Sequence, residues 1–305
     1  MPTPELNLHR IEAFLAVMEL GNISRAAAHI EVAQSVVSRH LAALEAQLGC
    51  RLFERTGRGV APTPSAARLA PRLRAAMDEM LRATTEAAET GNQPGGVVRL
   101  GVVPSVAQPL VGRLYQRVAE RLPRVQLQFV EGFSNALEEQ VADARIDLAV
   151  INRFGRQVRR GEERLCVLES LVIGPAGMFA PDQALSFRQL AERPLVLATR
   201  PNGRAPFDQA SRHTGVKLRV VAESDSLLVM KALILDAGLC TVLPRQAVQD
   251  ELHRGLMSAA RLVRPSIPRV LSLVSAPRHA GSEAARAVAR ELRELVDEAL
   301  QQGAW

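Results

Sequence analysis

Cysteine is scarce in this chain. Its 305 residues hold three, Cys50, Cys166 and Cys240, too few and too widely spaced for a disulfide framework or the close ligand spacing of a zinc site. Long apolar runs are missing too, and none approaches the roughly 20 residues that a membrane helix needs. The first residues, MPTPELNLHRIEAF, offer neither a basic n-region nor an apolar h-region, so export is not expected. These absences imply a reduced, cytoplasmic chain with no membrane association. Catalytic signatures are equally lacking: there is no Gly-rich phosphate loop, no His-x-x-x-His metal pair and no G-x-S-x-G elbow. The six histidines (His9, His29, His40, His213, His253 and His279) are scattered. The expectation is therefore a protein that is not an enzyme and holds no cofactor or metal. Lysine is nearly absent, at two of the 38 basic residues. That bias reflects genome composition as readily as phosphate recognition.

The formal net charge is +6, but its distribution says little for nucleic acid. Residues 1–60 carry six Arg and six Glu, and the whole excess lies beyond residue 93. What the first sixty residues do contain is pattern. Leu8, Ile11, Leu15 and Met18 recur at helical spacing, and Gly21-Asn22 ends the run. Ser24 is a candidate cap for a short helix, Arg25 to Ile30, built on Ala26-Ala27-Ala28. A tight turn, Glu31 to Ala33, leads into "QSVVSRHLAALEAQLG". There Val37, Leu41, Leu44 and Leu48 share one face, while Ser35, Ser38, Arg39 and Ala42 share the other. Short helix, tight turn and longer helix make a helix-turn-helix, whose second helix presents its N-terminal residues to base edges. Gln34, Ser35, Ser38 and Arg39 occupy that end, and Gln and Arg can bond adenine and guanine bidentately. Next, "CRLFERTGRGVAPTPSA" reads as a hairpin. Arg51, Arg55 and Arg58 sit where a wing would reach phosphate or minor groove. A solvated Arg turn on a small helical domain is the bland alternative.

The run from Phe14 to Ala66 resembles the winged helix-turn-helix of the LysR-type transcriptional regulators. The matching elements are the triple-Ala short helix, the Val-x-Gln turn, Ser38-Arg39, Leu44-Glu45, Leu48-Gly49 and Leu52-Phe53-x-Arg55. Two positions depart from it: the family usually has Ser where Ala33 stands and Pro where Ser35 stands, which leaves Ser35 as the candidate cap. From Pro64, a seam of Ala66, Leu69, Leu73, Ala76, Met80, Ala83 and Ala87 alternates steps of three and four. Pro71 is expected to weaken or bend that helix. With no large apolar remainder of the first domain to cover it, the seam is expected to meet a second copy through Leu69, Leu73, Ala76 and Met80. The resemblance implies a linker helix that dimerises the DNA-binding domains. Two recognition helices on a two-fold axis would then read an interrupted palindrome in double-stranded promoter DNA.

"GNQPGG", residues 91–96, is a candidate linker. Beyond it strands and helices alternate, implying βαβ units and a parallel sheet. The strands expected are 97–103, 125–130, 146–151, 165–173, 195–198, 218–221, 240–243 and 270–275. The helices expected are 107–121, 134–144, 226–237 and 282–300. The resemblance extends here to the family's effector domain, two α/β lobes like those of periplasmic binding proteins, and is good over 129–150 and 220–248. It implies an organisation in three parts: a winged helix-turn-helix at 1–63, a linker and dimerisation helix at 64–90, and an effector-binding domain at 91–305. Lobe 1 would take about 97–168 and 269–305, and lobe 2 about 169–268. The expected fold class is α/β with an all-α winged N-terminal domain.

Three strand-to-helix corners could line the crevice between lobes. They offer Pro104 and Ser105, then Phe133, Ser134 and Asn135, and in the second lobe Thr199, Arg200 and Asn202. Helix N-termini and a guanidinium favour a small anionic effector of unknown identity. Ser105 and Ser134 read equally well as helix caps, and Arg200 as a surface residue. The segment TRPNG, 199–203, is similar to the subset of the family near the nitrogen assimilation control proteins. Two other readings stand beside a sequence-specific regulator, which would be a homodimer or homotetramer that meets RNA polymerase if it activates. One is a thiol redox sensor using Cys166 and Cys240, each of which sits in a strand pattern that suggests burial. The other is a ligand-binding module without sequence-specific DNA binding, which leaves the first ninety residues without a purpose.

Overall fold

The computed structural model describes residues 7–57, 59–88, 94–199, 203–276, 282–303 and 305. The chain divides into an N-terminal unit over the first ninety residues and a C-terminal unit over most of the rest.

In the N-terminal unit, α1 (Leu8–Leu20) starts at an Asn7 side chain that accepts from the His9 amide, and ends at Gly21 in the left-handed conformation. Asn22 caps α2 (Ile23–His29) by accepting from the amides of Ser24 and Arg25. The cap is thus two residues earlier than the Ser24 expected, because the Asn carbonyl satisfies two orphan amides at once. Helix α3 (Gln34–Leu48) has Ala33 at its N-cap with no side-chain bond, so Ser35 lies inside the first turn and caps nothing. Strands β1 (Phe53–Thr56) and β2 (Gly59–Pro62) pair antiparallel, with Thr56 opposite Gly59. Val37, Leu41, Leu44, Leu52 and Phe53 join Phe14 and the buried alanines of α1 and α2 in one core. Leu48 does not join it and is largely exposed.

Helix α4 (Pro64–Ala88) runs on through Pro71. Its expected seam is divided. Ala66 is buried, and Leu69, Ala70 and Leu73 pack on the core of their own unit, so that core does supply a surface for the first turns. Further along, Ala75 is buried while Ala76, Met80 and Leu81 are exposed.

The described residues of the C-terminal unit form three sheets in two lobes, with one core cluster in lobe 1 and two in lobe 2. In lobe 1 the strands are β3 (Gly96–Val102), β4 (Val125–Glu131), β5 (Leu148–Phe154), β6 (Glu162–Leu168) and β13 (Arg269–Ser275), in the order β4-β3-β5-β13-β6. Helices α5 (Pro104–Arg121), α6 (Ser134–Ala142) and α11 (Glu283–Gln301) belong to the same lobe. Lobe 2 contains β7 (Ser170–Pro175), β8 (Ala184–Ser186), β11 (Thr241–Pro244) and β12 (Met257–Val263) in one sheet, ordered β11-β7-β12-β8. A pair of β9 (Leu195–Leu197) and β10 (Val220–Glu223) is attached by a Leu195–Cys240 bridge. Its helices are α7 (Phe187–Ala191), α8 (Ala205–Thr214), α9 (Leu227–Ala237) and α10 (Gln249–His253).

Three expectations are corrected. The single strand expected over 165–173 is two strands in different lobes, parted at the exposed Glu169 where the chain crosses over. The sheets are mixed: β3 runs parallel to β4 and β5, while β13 returns from lobe 2 and runs antiparallel to both β5 and β6. Strand β12 was not foreseen, because MSAARLV lacks a clear apolar alternation. Among the described residues no helix is long and apolar enough to cross a membrane.

Candidate functional site

The N-terminal unit presents one polar surface built on α3. Burying Val37, Leu41 and Leu44 turns Gln34, Ser35, Ser38, Arg39 and Ala42 outward, and all five are exposed. No side chain caps the helix, so its first amides and the positive end of its dipole are open to an anion such as a phosphate. The turn before it is tight: Glu31 takes a left-handed conformation and the Val32 amide donates to the Ala27 carbonyl. Buried Ala26 and Ala27 let the helices approach there.

The hairpin is fastened to this helix by a residue whose role was not foreseen. One oxygen of Glu45 accepts from the Leu52 amide at 2.7 Å and the Phe53 amide at 3.2 Å. On its other side, the Val60 amide donates to the carbonyl of Gly21 at 3.1 Å. Gly59 makes this approach possible. Its φ is +146°, and a β-carbon there would stand 2.5 Å from the Gly21 carbonyl oxygen. Arg51 and Arg55 are exposed on the hairpin; Arg58 lies outside the described residues. Two arginines and the exposed face of α3 thus belong to one rigid piece, held by a shared core and by Glu45.

The second candidate site is a cleft of about 640 Å³ between the lobes. Pro104, Ser105, Phe133, Ser134 and Asn135 all line it. Helix α5 opens onto it with no side-chain cap. The two serines differ in what they can offer. Ser134 Oγ donates to the Asn152 carbonyl at 2.8 Å and accepts from the Asn152 amide at 3.2 Å, so its proton is committed to holding α6 against β5. Ser105 Oγ accepts from Asn152 Nδ2 at 2.9 Å, which leaves its own proton to give. Thr199 is not a cleft donor. Its amide and hydroxyl both go to Asp225, at 2.9 and 2.6 Å. Arg200 and Asn202 lie outside the described residues.

Several lining residues were missed by the sequence reading: Asn152, Arg153, Phe154, Asp225 and Arg269. The first three end β5, and the rule that crevices lie beyond the carboxyl ends of strands could have found them. Arg153 is clamped between Glu138 and Glu162. Glu162 is held below the usual carboxylate range by its bond to Arg153, against a burial effect that acts the other way. Arg269 faces Phe154 across the β13–β5 ladder, a pairing that no local pattern reveals.

The cysteines take no part in either site. Cys166 is buried in the core of lobe 1 and Cys240 in that of lobe 2, while Cys50 is exposed. Burial pushes the Cys166 thiol up to about 11 and raises that of Cys240 as well. Among the described residues no group of three or more His, Cys, Asp or Glu could hold a metal ion.

Comparison with known proteins is consistent across the chain. Residues 8–67 match the model of the bacterial regulatory helix-turn-helix protein of the lysR family, and residues 91–297 match the LysR substrate binding domain. The sequence is 26% identical over 293 residues to the nitrogen assimilation regulatory protein nac of Klebsiella aerogenes, covering 95% of each chain. It is 31% identical over 304 residues to the "Probable hydrogen peroxide-inducible genes activator" of Streptomyces viridosporus, covering 95% of this chain and 94% of that one. The fold is similar to that of full-length CbnR complexed with its target DNA. The TM-score is 0.68 at 16% identity, over 96% of this chain and 99% of the other.

Proposed function

The chain belongs to the LysR family of DNA-binding transcriptional regulators. From that premise we propose that it is a cytoplasmic homo-oligomer that reads an interrupted palindrome in promoter DNA and adjusts its contacts when a small anion enters the cleft.

The observation that carries the DNA reading is the exposed row of Gln34, Ser35, Ser38 and Arg39 on a helix whose opposite face is locked in the core. Arg39 and Gln34 are suited to base edges, while Arg51 and Arg55 on the hairpin supply sequence-independent phosphate attraction. Exposed apolar side chains support self-association: Met80 and Leu81 on α4, and separately Leu228 and Val221 on α9 and β10. As an activator it would also meet RNA polymerase.

For the cleft, support comes from the open α5 terminus and the free Ser105 proton, both suited to an anion. A ligand touching both lobes would bias their orientation in proportion to its different contacts in each arrangement. The name of the Streptomyces relative raises a thiol-sensing reading. Against it, Cys166 and Cys240 lie in separate cores with raised thiol pKa values, and reactive cysteines need a thiolate and access.

The test is a gel-shift titration on the DNA upstream of the gene, at two salt concentrations. Arg39→Ala is expected to lose about 1–3 kcal/mol of preference over random DNA. Arg55→Ala is expected to weaken all DNA alike, with a shallower salt slope. Wild-type protein that prefers no sequence and releases DNA at moderate salt would sink the reading.

A further inference from the structure

Among the described residues, three arginines line the cleft: Arg153 is paired with carboxylates, Arg159 is exposed at the rim, and Arg269 is half-buried with no carboxylate bonded to it. Arg269 is the first residue of β13, and its guanidinium lies over the Phe154 ring, 4.2 Å from the centroid. Its side-chain hydrogen bonds reach two neutral oxygens of lobe 2, and both are long. Nε to Ser170 Oγ is 3.4 Å, and a terminal nitrogen to the Val242 carbonyl is 3.5 Å. Bonds of that length lie beyond the usual range.

Arg153 is neutralised by Glu138 and Glu162. Asp225 is occupied by Thr199. Among the described residues no carboxylate pairs with Arg269, and burial alone draws its pKa down to about 10. It is still charged at neutral pH. Arg269 is half-buried, facing the cleft, and a charge partly withdrawn from water without a partner is costly. Much of the remaining wall is apolar, with Phe133, Phe154, Phe207, Leu227, Met230 and Leu243 beside polar groups such as Ser105 and Asn152. Phe154 and Phe207 meet nearly edge-on, with centroids 6.1 Å apart.

We propose that Arg269 is the anion anchor of this cleft, and that the effector is a small monocarboxylate with an apolar, preferably aromatic, body. This rests on the cleft being the effector site. A planar guanidinium fork matches a carboxylate in shape. The aliphatic and phenyl walls suit an uncharged body. Arg159 is exposed to water at the rim, so Arg269 is the one half-buried, unpaired cation of the described lining, and a single negative charge matches it. Because the present partners of Arg269 belong to lobe 2, a carboxylate that captures its guanidinium exchanges contacts between the lobes for contacts with ligand. Effector binding is thereby coupled to lobe orientation.

The experiment titrates full-length protein calorimetrically with benzoate, phenylacetate and hexanoate, and with their neutral amides. Each acid that binds is expected to do so at least tenfold more tightly than its amide. In Arg269→Gln that preference disappears, and Arg269→Lys keeps part of it. Circular dichroism checks that the variants fold, and the wild-type comparison of acid with amide needs no variant at all. Filling the cleft with Ala198→Trp is expected to abolish binding. Amides that bind as tightly as acids, or an acid preference that survives Arg269→Gln, overturn the role of Arg269 while the cleft reading stands. Acid binding that survives Ala198→Trp overturns the cleft reading itself. No saturable binding of any acid up to about 10 mM overturns the proposed effector class.

Discussion

Replacing Glu45 by alanine isolates the link between the recognition helix and the hairpin. A single carboxylate oxygen accepts from two successive amides, those of Leu52 and Phe53, and both of these residues are buried. Alanine would leave both donors unpaired in or beside the core. An unsatisfied buried donor costs about 1–3 kcal/mol. Glu45 is itself half-buried, so some water can enter, and the expected loss is about 2–3 kcal/mol for the pair. For a unit of this size that corresponds to a fall of about 10–20 °C in its melting temperature. The single tryptophan, Trp305, packs on the core of lobe 1, so its fluorescence reports only the C-terminal unit. Far-ultraviolet circular dichroism reports both units. The expected result is an early helical transition in Glu45→Ala with the Trp305 transition unmoved. Glu45→Gln, which keeps one acceptor oxygen, is expected to lose about 1 kcal/mol. Glu54, exposed on β1, is the control, and Glu54→Ala should stay within about 0.5 kcal/mol of wild type. If Glu45→Ala behaves like Glu54→Ala, or if the Trp305 transition falls with it, the account of how the hairpin is held is wrong.

Gly59→Ala puts a β-carbon against the Gly21 carbonyl and strains a left-handed backbone. The cost should be about 2–4 kcal/mol, from strain plus the Val60–Gly21 hydrogen bond. Gly57, with open space around it, should accept alanine with little change, and equal effects at the two positions would count against the packing described. Native protein at pH 8 is expected to react at one thiol, Cys50, with Cys166 and Cys240 labelled only after denaturation. Fast labelling of two or three thiols would reopen the redox reading. The thiol pKa of Cys166 is raised in the folded state, so its stabilising contribution is complete below the unfolded thiol pKa and fades as pH climbs toward about 11. Melting of the C-terminal unit should therefore fall from about pH 9 upward, more shallowly in Cys166→Ala.

Local rules carried the sequence reading a long way, because helices and hairpins are written in short intervals. The spacing of Val37, Leu41 and Leu44 gave both the buried face of α3 and, by subtraction, the exposed Gln34, Ser35, Ser38 and Arg39. The hairpin near Arg55 was also legible from neighbouring residues, whereas the apolar run over 165–173 read as one strand and hid the break at Glu169. Caps were less so: Asn22 displaced Ser24, and Ala33 left Ser35 without that task, since a cap depends on the backbone angle at one residue. The two serines of the cleft corners look alike in sequence. Only the arrival of Asn152, from a strand that begins after α6, spends the proton of Ser134 and leaves that of Ser105 free. The same holds for Arg269, an ordinary strand arginine until β13 returns beside β5 and sets it over Phe154, with no carboxylate bonded to it among the described residues. The sequence by itself determined which faces are buried and which elements form, because those depend on side-chain period and local backbone preference. Which polar groups are satisfied and which remain to meet a ligand was decided by the tertiary structure, because hydrogen bonds and desolvation are settled between residues on different elements, distant in sequence.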